Sequence, residues 1–309
     1  MSFILLGILN SQAAGGLALA GYVTGGSTTV NKFAFPSDTR STLGTGLSSA
    51  VEGPAGMSDA GVAGYIAGGY DGSRVTTVDK FAFPSDSKTT LGTGLSTGLN
   101  QLAGMSNSGV AGYAGSARGS GGSPVSTVNK FAFPSDSRST LGTGLSSSRS
   151  GAGGMSNSGV AGYIAGGTTS STRVSTVDKF AFPSDSRSTL GTGLSFEREQ
   201  LAGMSNSGVA GYVAEGAGSG TFVGSDVNKF AFPSDSRSTL GTGLSVARAF
   251  HGGMSNSGVA GYIAGGRNSS QTKLTTVDKF AFPSDTRSTL GTGLATAVEG
   301  VAGFQNEEI

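Results

Sequence analysis

"NKFAFPSDTRSTLGTGLS", residues 31–48, returns as "DKFAFPSDSKTTLGTGLS" at 79–96 and then four more times before the chain ends. The Lys of each KFAFPSD falls at Lys32, Lys80, Lys130, Lys179, Lys229 and Lys279, a period of 48 to 50 residues. Six such units account for nearly all of the 309 residues. A fixed period of this size marks a repeat architecture, one domain built from units that stack on their neighbours.

Inside a unit the periodicity is short. In "STVDKFAF" (175–182), Val177, Lys179 and Ala181 alternate with Asp178, Phe180 and Phe182, the period of two that a strand requires. Pro183 and Asp185 of the following "PSDS" end the strand in a turn, where the Asp side chain can bond nearby backbone amides. "RSTLGTGL" is expected to run back as a second strand. Before them, "GMSNSGVAGYIAGG" (154–167) reads as a hairpin: a strand ending at Met155, a polar Ser-Asn-Ser-Gly turn, and a strand through Val160, Tyr163 and Ile164. Four short strands per unit, with no helical periodicity anywhere, predict an all-β, six-bladed β-propeller with four antiparallel strands per blade.

The order of these signals resembles the kelch repeat, in which a Tyr precedes a Gly-Gly pair at the end of the second strand. Here the matching residues are Tyr22 with Gly25 and Gly26, Tyr65 with Gly68 and Gly69, Tyr163 with Gly166 and Gly167, and Tyr262 with Gly265 and Gly266. The family's fourth-strand Trp is replaced by Leu43, Leu91, Leu141, Leu190, Leu240 and Leu290, so the chain is kelch-like, and the repeat arithmetic carries the fold.

Closure of the ring is also readable. Five AGM strands precede blades two to six, and "TAVEGVAGFQN" (296–306) parallels "SAVEGPAGMSD" (49–59), with Phe304 where Met57 stands. The C-terminal strand, about 297–306, is therefore expected to complete blade 1, whose other strands come from Leu17 to Leu47. That places the propeller at 17–309, after an apolar segment at 1–16, and leaves no open sheet edge where the ends meet.

Composition excludes several classes of function. A net charge of +1 gives no general attraction to nucleic acid or anionic membrane. Cysteine is absent, which removes disulfides and thiolate metal sites. The six turn residues Asp38, Asp86, Asp136, Asp185, Asp235 and Asp285 stand at equivalent positions round a ring, too far apart to form one site. The expected innermost strands ("PAGM", "LAGM", "AGGM") supply no nucleophile or base. His251, the single histidine, falls in a variable loop and reads as a solvated surface residue. The reading is a non-enzyme without metal or cofactor.

Phe3, Ile4, Leu5, Leu6, Ile8 and Leu9 form an apolar run too short to span a bilayer. It is read as a strand or plug on the ring, or as an anchor in another protein. The opening "LLGILNSQAAGG" is similar to the N-termini of structural proteins of tailed bacteriophages, marine and cyanobacterial ones in particular, and the repeat phrase resembles phage-encoded propeller proteins. This likeness implies a virion protein, attached to other virion proteins through its N-terminus and extracellular when mature.

The units differ in two windows. One follows the Tyr strand ("YDGSRVTT", "ARGSGGSPVST") and the other follows GLS ("FEREQLAG", "VARAFHGG"). In an up-and-down blade both fall on the same face, opposite the near-identical SNSG and PSDS turns. Loops on a rigid scaffold can vary without disturbing the core, which makes that face the expected recognition surface for a host glycan or protein. Its large or charged residues are Tyr70, Arg74, Arg118, Arg173, Phe196, Glu197, Arg198, Phe222, Arg248, Phe250, His251 and Arg267, of which the aromatics and Arg are the usual interface anchors. Tail fibre or tail-tip adhesin is the first expectation; a capsid decoration protein, or a lectin with one or two irregular sugar sites, is the alternative.

Overall fold

Residues 19–218 and 223–307 are described by a computed structural model. The apolar N-terminal run and Phe222 lie outside these residues. Six sheets of four antiparallel strands surround an axis. In blade 4 the order from the axis outward is Gly153–Asn157, Ala161–Ala165, Val177–Ala181 and Ser186–Thr189. Blade 1 takes its innermost strand, Ala302–Asn306, from the C-terminus and pairs it with Ala20–Thr24, Tyr22 opposite Phe304. The chain is a six-bladed β-propeller closed by its last strand.

Two local expectations change. The innermost strand continues past Met155 through Ser156 and Asn157, with the turn moved to Ser158–Val160. Ser and Asn read as turn formers, yet here their polar atoms are bonded to neighbouring blades. The outer strand stops at Thr189, and "LGTGL" turns inward to bury Leu194.

Interblade packing explains most of the invariant phrase. Tyr of each blade stacks on the second Phe of the next, with centroids 5.0–5.4 Å apart at all six interfaces, including Tyr262 on Phe35 and Tyr22 on Phe83. Met of the innermost strand fills the space above the AGY glycine of the next blade: Met57 over Gly112, Met105 over Gly162, Met155 over Gly211. Phe304 does this at Gly64, as its alignment with Met57 predicts.

The turn aspartates have a larger task than turn formation. Each adopts a left-handed backbone, φ 55° to 57°, and sends its carboxylate to the preceding blade. Asp235 accepts from Tyr163 Oη (2.8 Å) and Lys179 Nζ (2.6 Å). The same three residues meet at every interface, and Tyr262, Lys279 and Asp38 close the circle. Burial first, and then the bonded carboxylate, push each of these tyrosines far above the ordinary phenol range, so they remain donors.

A second contact ties the outer halves. The residue before the repeat Lys accepts a backbone N–H from the preceding unit: Asp79 from Ser48, Asp178 from Ser146, Asn228 from Ser195, and Asn31 from Ala295 across the closure.

Candidate functional site

The two variable windows lie together on one face and are tied to each other. Backbone bridges join Glu52 to Tyr70, Asn100 to Arg118, Ser150 to Thr168, Glu199 to Ala217 and Ala249 to Arg267. Blade 3 adds a two-stranded ribbon, Ala117–Arg118 with Pro124–Val125. Each window is thus a hydrogen-bonded extension of its blade.

Most of the residues singled out in the sequence sit on this face, and all six of the arginines among them are partnered. Arg74 lies over the ring of Tyr70, which is 41% exposed, and donates to Asn100 Oδ1 at 2.9 Å. Arg118 donates to Gln101 Oε1 at 2.8 Å, and Arg173 pairs with Glu199 at 2.6 Å. Arg198 lies over Phe196 and pairs with Glu215 at 3.3 Å. Arg267 covers Phe250 at 4.4 Å and pairs with Glu299 at 3.1 Å. Arg173, Phe196, Glu197 and Arg198 line one groove of about 570 Å³. Phe196 is 53% exposed there, and Glu197 is exposed beside it.

Arg248 and His251 are corrections: both are buried. Arg248 reaches inward to Asp278 (2.9 Å) and the Ile263 carbonyl (3.0 Å), and Arg149 does the same with Asp178 and Ile164. Arg198 holds the same place in its unit, where the next unit carries Asn228 instead of Asp, and it pairs with the buried Glu215. His251 replaces the apolar Leu102, Leu201 and Val301 of other units beside the axis. Its Nε2–H donates to the Glu215 carbonyl at 2.8 Å. Burial, and then Arg248, hold its pKa down to about 4, so the ring is neutral. In a loop sequence, nothing distinguishes an Arg or His that turns inward.

The axial channel is narrowest at Gly56, Gly104, Gly154, Gly203, Gly253 and Gly303, where adjacent innermost strands touch. On the uniform side it is lined by serines. Ser58, Ser106, Ser156, Ser205 and Ser255 form one ring, and Ser108, Ser158, Ser207 and Ser257 form another. Each hydroxyl oxygen accepts a backbone N–H of a neighbouring blade, and among the described residues none is bonded to a His or carboxylate; Glu307 lines the same stretch and accepts from Ser257 N at 2.8 Å. The expectation that these strands carry no hydroxyl nucleophile overlooked the serines, whose oxygens are structural. Beyond them the mouth widens to about 750 Å³ beside Val110, Val160 and Glu307. Among the described residues, no three His, Asp or Glu side chains come together as metal ligands would.

On the variable side the channel is capped. Gly53, Gln101, Gly151, Gln200, Phe250 and Gly300 stand at equivalent positions, and their backbones bond round the axis: Gly53 to Gly300, Gly300 to Phe250, Phe250 to Gln200, Gln200 to Gly151, Gly151 to Gln101. Above this cap lies a depression of about 110 Å³, lined by Glu52, Asn100, Gln101, Gln200, Phe250, Arg267 and Glu299. Only Phe250 and Arg267 of these were singled out in the sequence. The signal for the others was available: three units lack the glycine that Gly53, Gly151 and Gly300 supply at one repeat position.

No protein-family model and no curated protein matches this chain. Function therefore has to be argued from the two faces and the axis.

Proposed function

We propose that the protein is a non-enzymatic recognition and structural component of a tailed-phage particle. It is a kelch-like propeller of a tail fibre or tail tip whose variable face meets the host surface. The observation that carries this reading is the segregation of difference. Six interfaces repeat the same Tyr–Asp–Lys contact, while the large departures between units gather on one face as an aromatic and arginine-rich surface. A rigid ring with one free face suits binding better than turnover. The channel serines' oxygens are engaged by backbone N–H groups and His251 is buried and neutral, which supports the non-enzymatic part. The virion assignment is supported by the N-terminal likeness to tailed-phage structural proteins, with attachment through that segment to other virion proteins.

Gold-labelled antibody against this chain on intact particles tests the assignment. Label on the tail or its fibres is the expected result. Label spread over the head would replace it with a capsid decoration role, and protein found only free in the lysate would overturn the virion reading altogether.

A further inference from the structure

The depression on the variable face is asymmetric although the scaffold beneath it repeats six times. Its floor is formed by the six capping positions, all with positive φ between 55° and 69°. Glycine adopts this conformation freely, whereas a side chain there costs about 1 kcal/mol or more. Three units carry Gly, yet the others carry Gln101, Gln200 and Phe250. Side chains kept at strained positions around one axis point to a task that glycine cannot perform.

Their polar atoms are incompletely used. Gln200 is 8% exposed, lines the depression, and its amide makes no hydrogen bond among the described residues. Gln101 Oε1 accepts from Arg118 Nε at 2.8 Å and Ser150 Oγ at 3.2 Å, which leaves its NH₂ free. Asn100 Oδ1 accepts from Arg74, leaving its NH₂ free as well. Glu52 is exposed, and its carboxylate has no partner among the described residues. These amide groups open onto the depression, where a ligand can bond them in place of water.

We infer that this depression binds one terminal ring of a neutral carbohydrate, with Gln101 and Gln200 as direct hydrogen-bonding residues. The inference rests on the recognition role proposed above and gives it a location and a ligand class. Free amide N–H groups stand beside a free amide carbonyl and a free carboxylate, so the matching group must both donate and accept. Sugar hydroxyls do both. An anionic ligand would face Glu52 and Glu299, and a cationic one would face Arg267 and the amide N–H groups. A volume of about 110 Å³ accommodates part of one ring, which favours a chain end.

The test compares the full chain with the Gln101→Gly/Gln200→Gly variant on an array of neutral and acidic glycans, with calorimetric titration of the strongest neutral glycan. Both substitutions relieve the positive φ as glycine does in the other units, which offsets the two bonds that Gln101 Oε1 accepts, so the thermal midpoint should change little. Affinity should fall by at least about tenfold, as expected for losing two or more hydrogen bonds. Unchanged affinity in a folded variant would move the sugar site elsewhere and overturn the inference. A wild-type chain that binds host envelopes but no neutral glycan would overturn the ligand class while leaving the recognition face standing. Binding to neither would end both.

Discussion

Gly154 has no room for a methyl group. A Cβ there would overlap the carbonyl oxygen of Gly104, which is backbone and cannot move aside without displacing a strand, and the same contact recurs from Gly56 to Gly303. Gly154→Ala is expected to destabilise the protein by about 2–4 kcal/mol in urea unfolding; a change below 0.5 kcal/mol would show that the innermost strands can separate. The turn aspartate shows what sequence hides at this scale. Asp235 looked local, but its partners Tyr163 and Lys179 lie 72 and 56 residues away. No short window contains both ends of such a contact. His251 gives a pH-dependent outcome. Its folded pKa of about 4 lies below the ordinary 6.5, so between those values the unfolded chain binds a proton that the folded chain excludes. Stability at His251 is therefore complete above about pH 6.5 and falls as pH drops toward 4, by roughly 3 kcal/mol in all. Glu307, raised to about 7 by burial, works in the opposite direction, its contribution being lost as pH rises from 4.5 to 7. The comparison that isolates the histidine is wild type against His251→Leu, the residue found at 102 and 201. Because Glu307 is common to both chains, the variant's denaturation midpoint at pH 4.5 should rise relative to its midpoint at pH 7 when compared with wild type, and an unchanged difference would show that His251 does not titrate there.

Elements were legible where they obey a period and illegible where they face one another. The KFAF strand follows from alternation, and the closing strand from its likeness to residues 49–59, because both signals lie within a few consecutive residues. The innermost strand was cut short at Met155 because Ser156 and Asn157 have turn-forming character; their hydrogen bonds go to other units, as when Ser156 Oγ accepts from Ser106 N. The inward Arg was missed for a related reason: its partner lies in the next unit, and only four of the six units match the two positions in charge. Arg149 and Arg248 meet Asp178 and Asp278, whereas Val298 and Leu99 come before units that carry Asn31 and Asn129. Two units depart from this pairing: Val51 precedes Asp79, which Lys88 approaches at 3.6 Å, and Arg198 precedes Asn228. Arg248→Val alone leaves the buried Asp278 with only Arg287, 3.8 Å away, as a cation and should cost up to about 3–5 kcal/mol. Combining it with Asp278→Asn reproduces the Val298/Asn31 pair and should recover most of that loss. A double variant no more stable than Arg248→Val would show that the two positions are uncoupled.

Across the whole molecule, closure depends on one five-residue strand, Ala302–Asn306. Phe304 stacks on Tyr22 at 4.7 Å with an interplanar angle of 3°, and the strand around it pairs along Ala20–Thr24. Removing residues 301–309 exposes that strand edge and empties the wedge beside blade 2. The truncated chain is expected to unfold at lower urea and to self-associate in light scattering; a monomer with an unchanged midpoint would mean that the five intact blades hold the circle unaided. The fold class was readable because a period survives any distance, while the recognition face was only half readable because exposure depends on the path of a loop. The Tyr–Asp–Lys contact also has a direction. Every unit offers a tyrosine and a lysine on one flank and a carboxylate on the other, so each flank fits any neighbour's opposite flank. In symmetry terms the chain is a head-to-tail hexamer whose protomers happen to be covalently joined. Two separate halves of three units each would present the same complementary flanks at their ends, and the circle they could close is the one the single chain already makes.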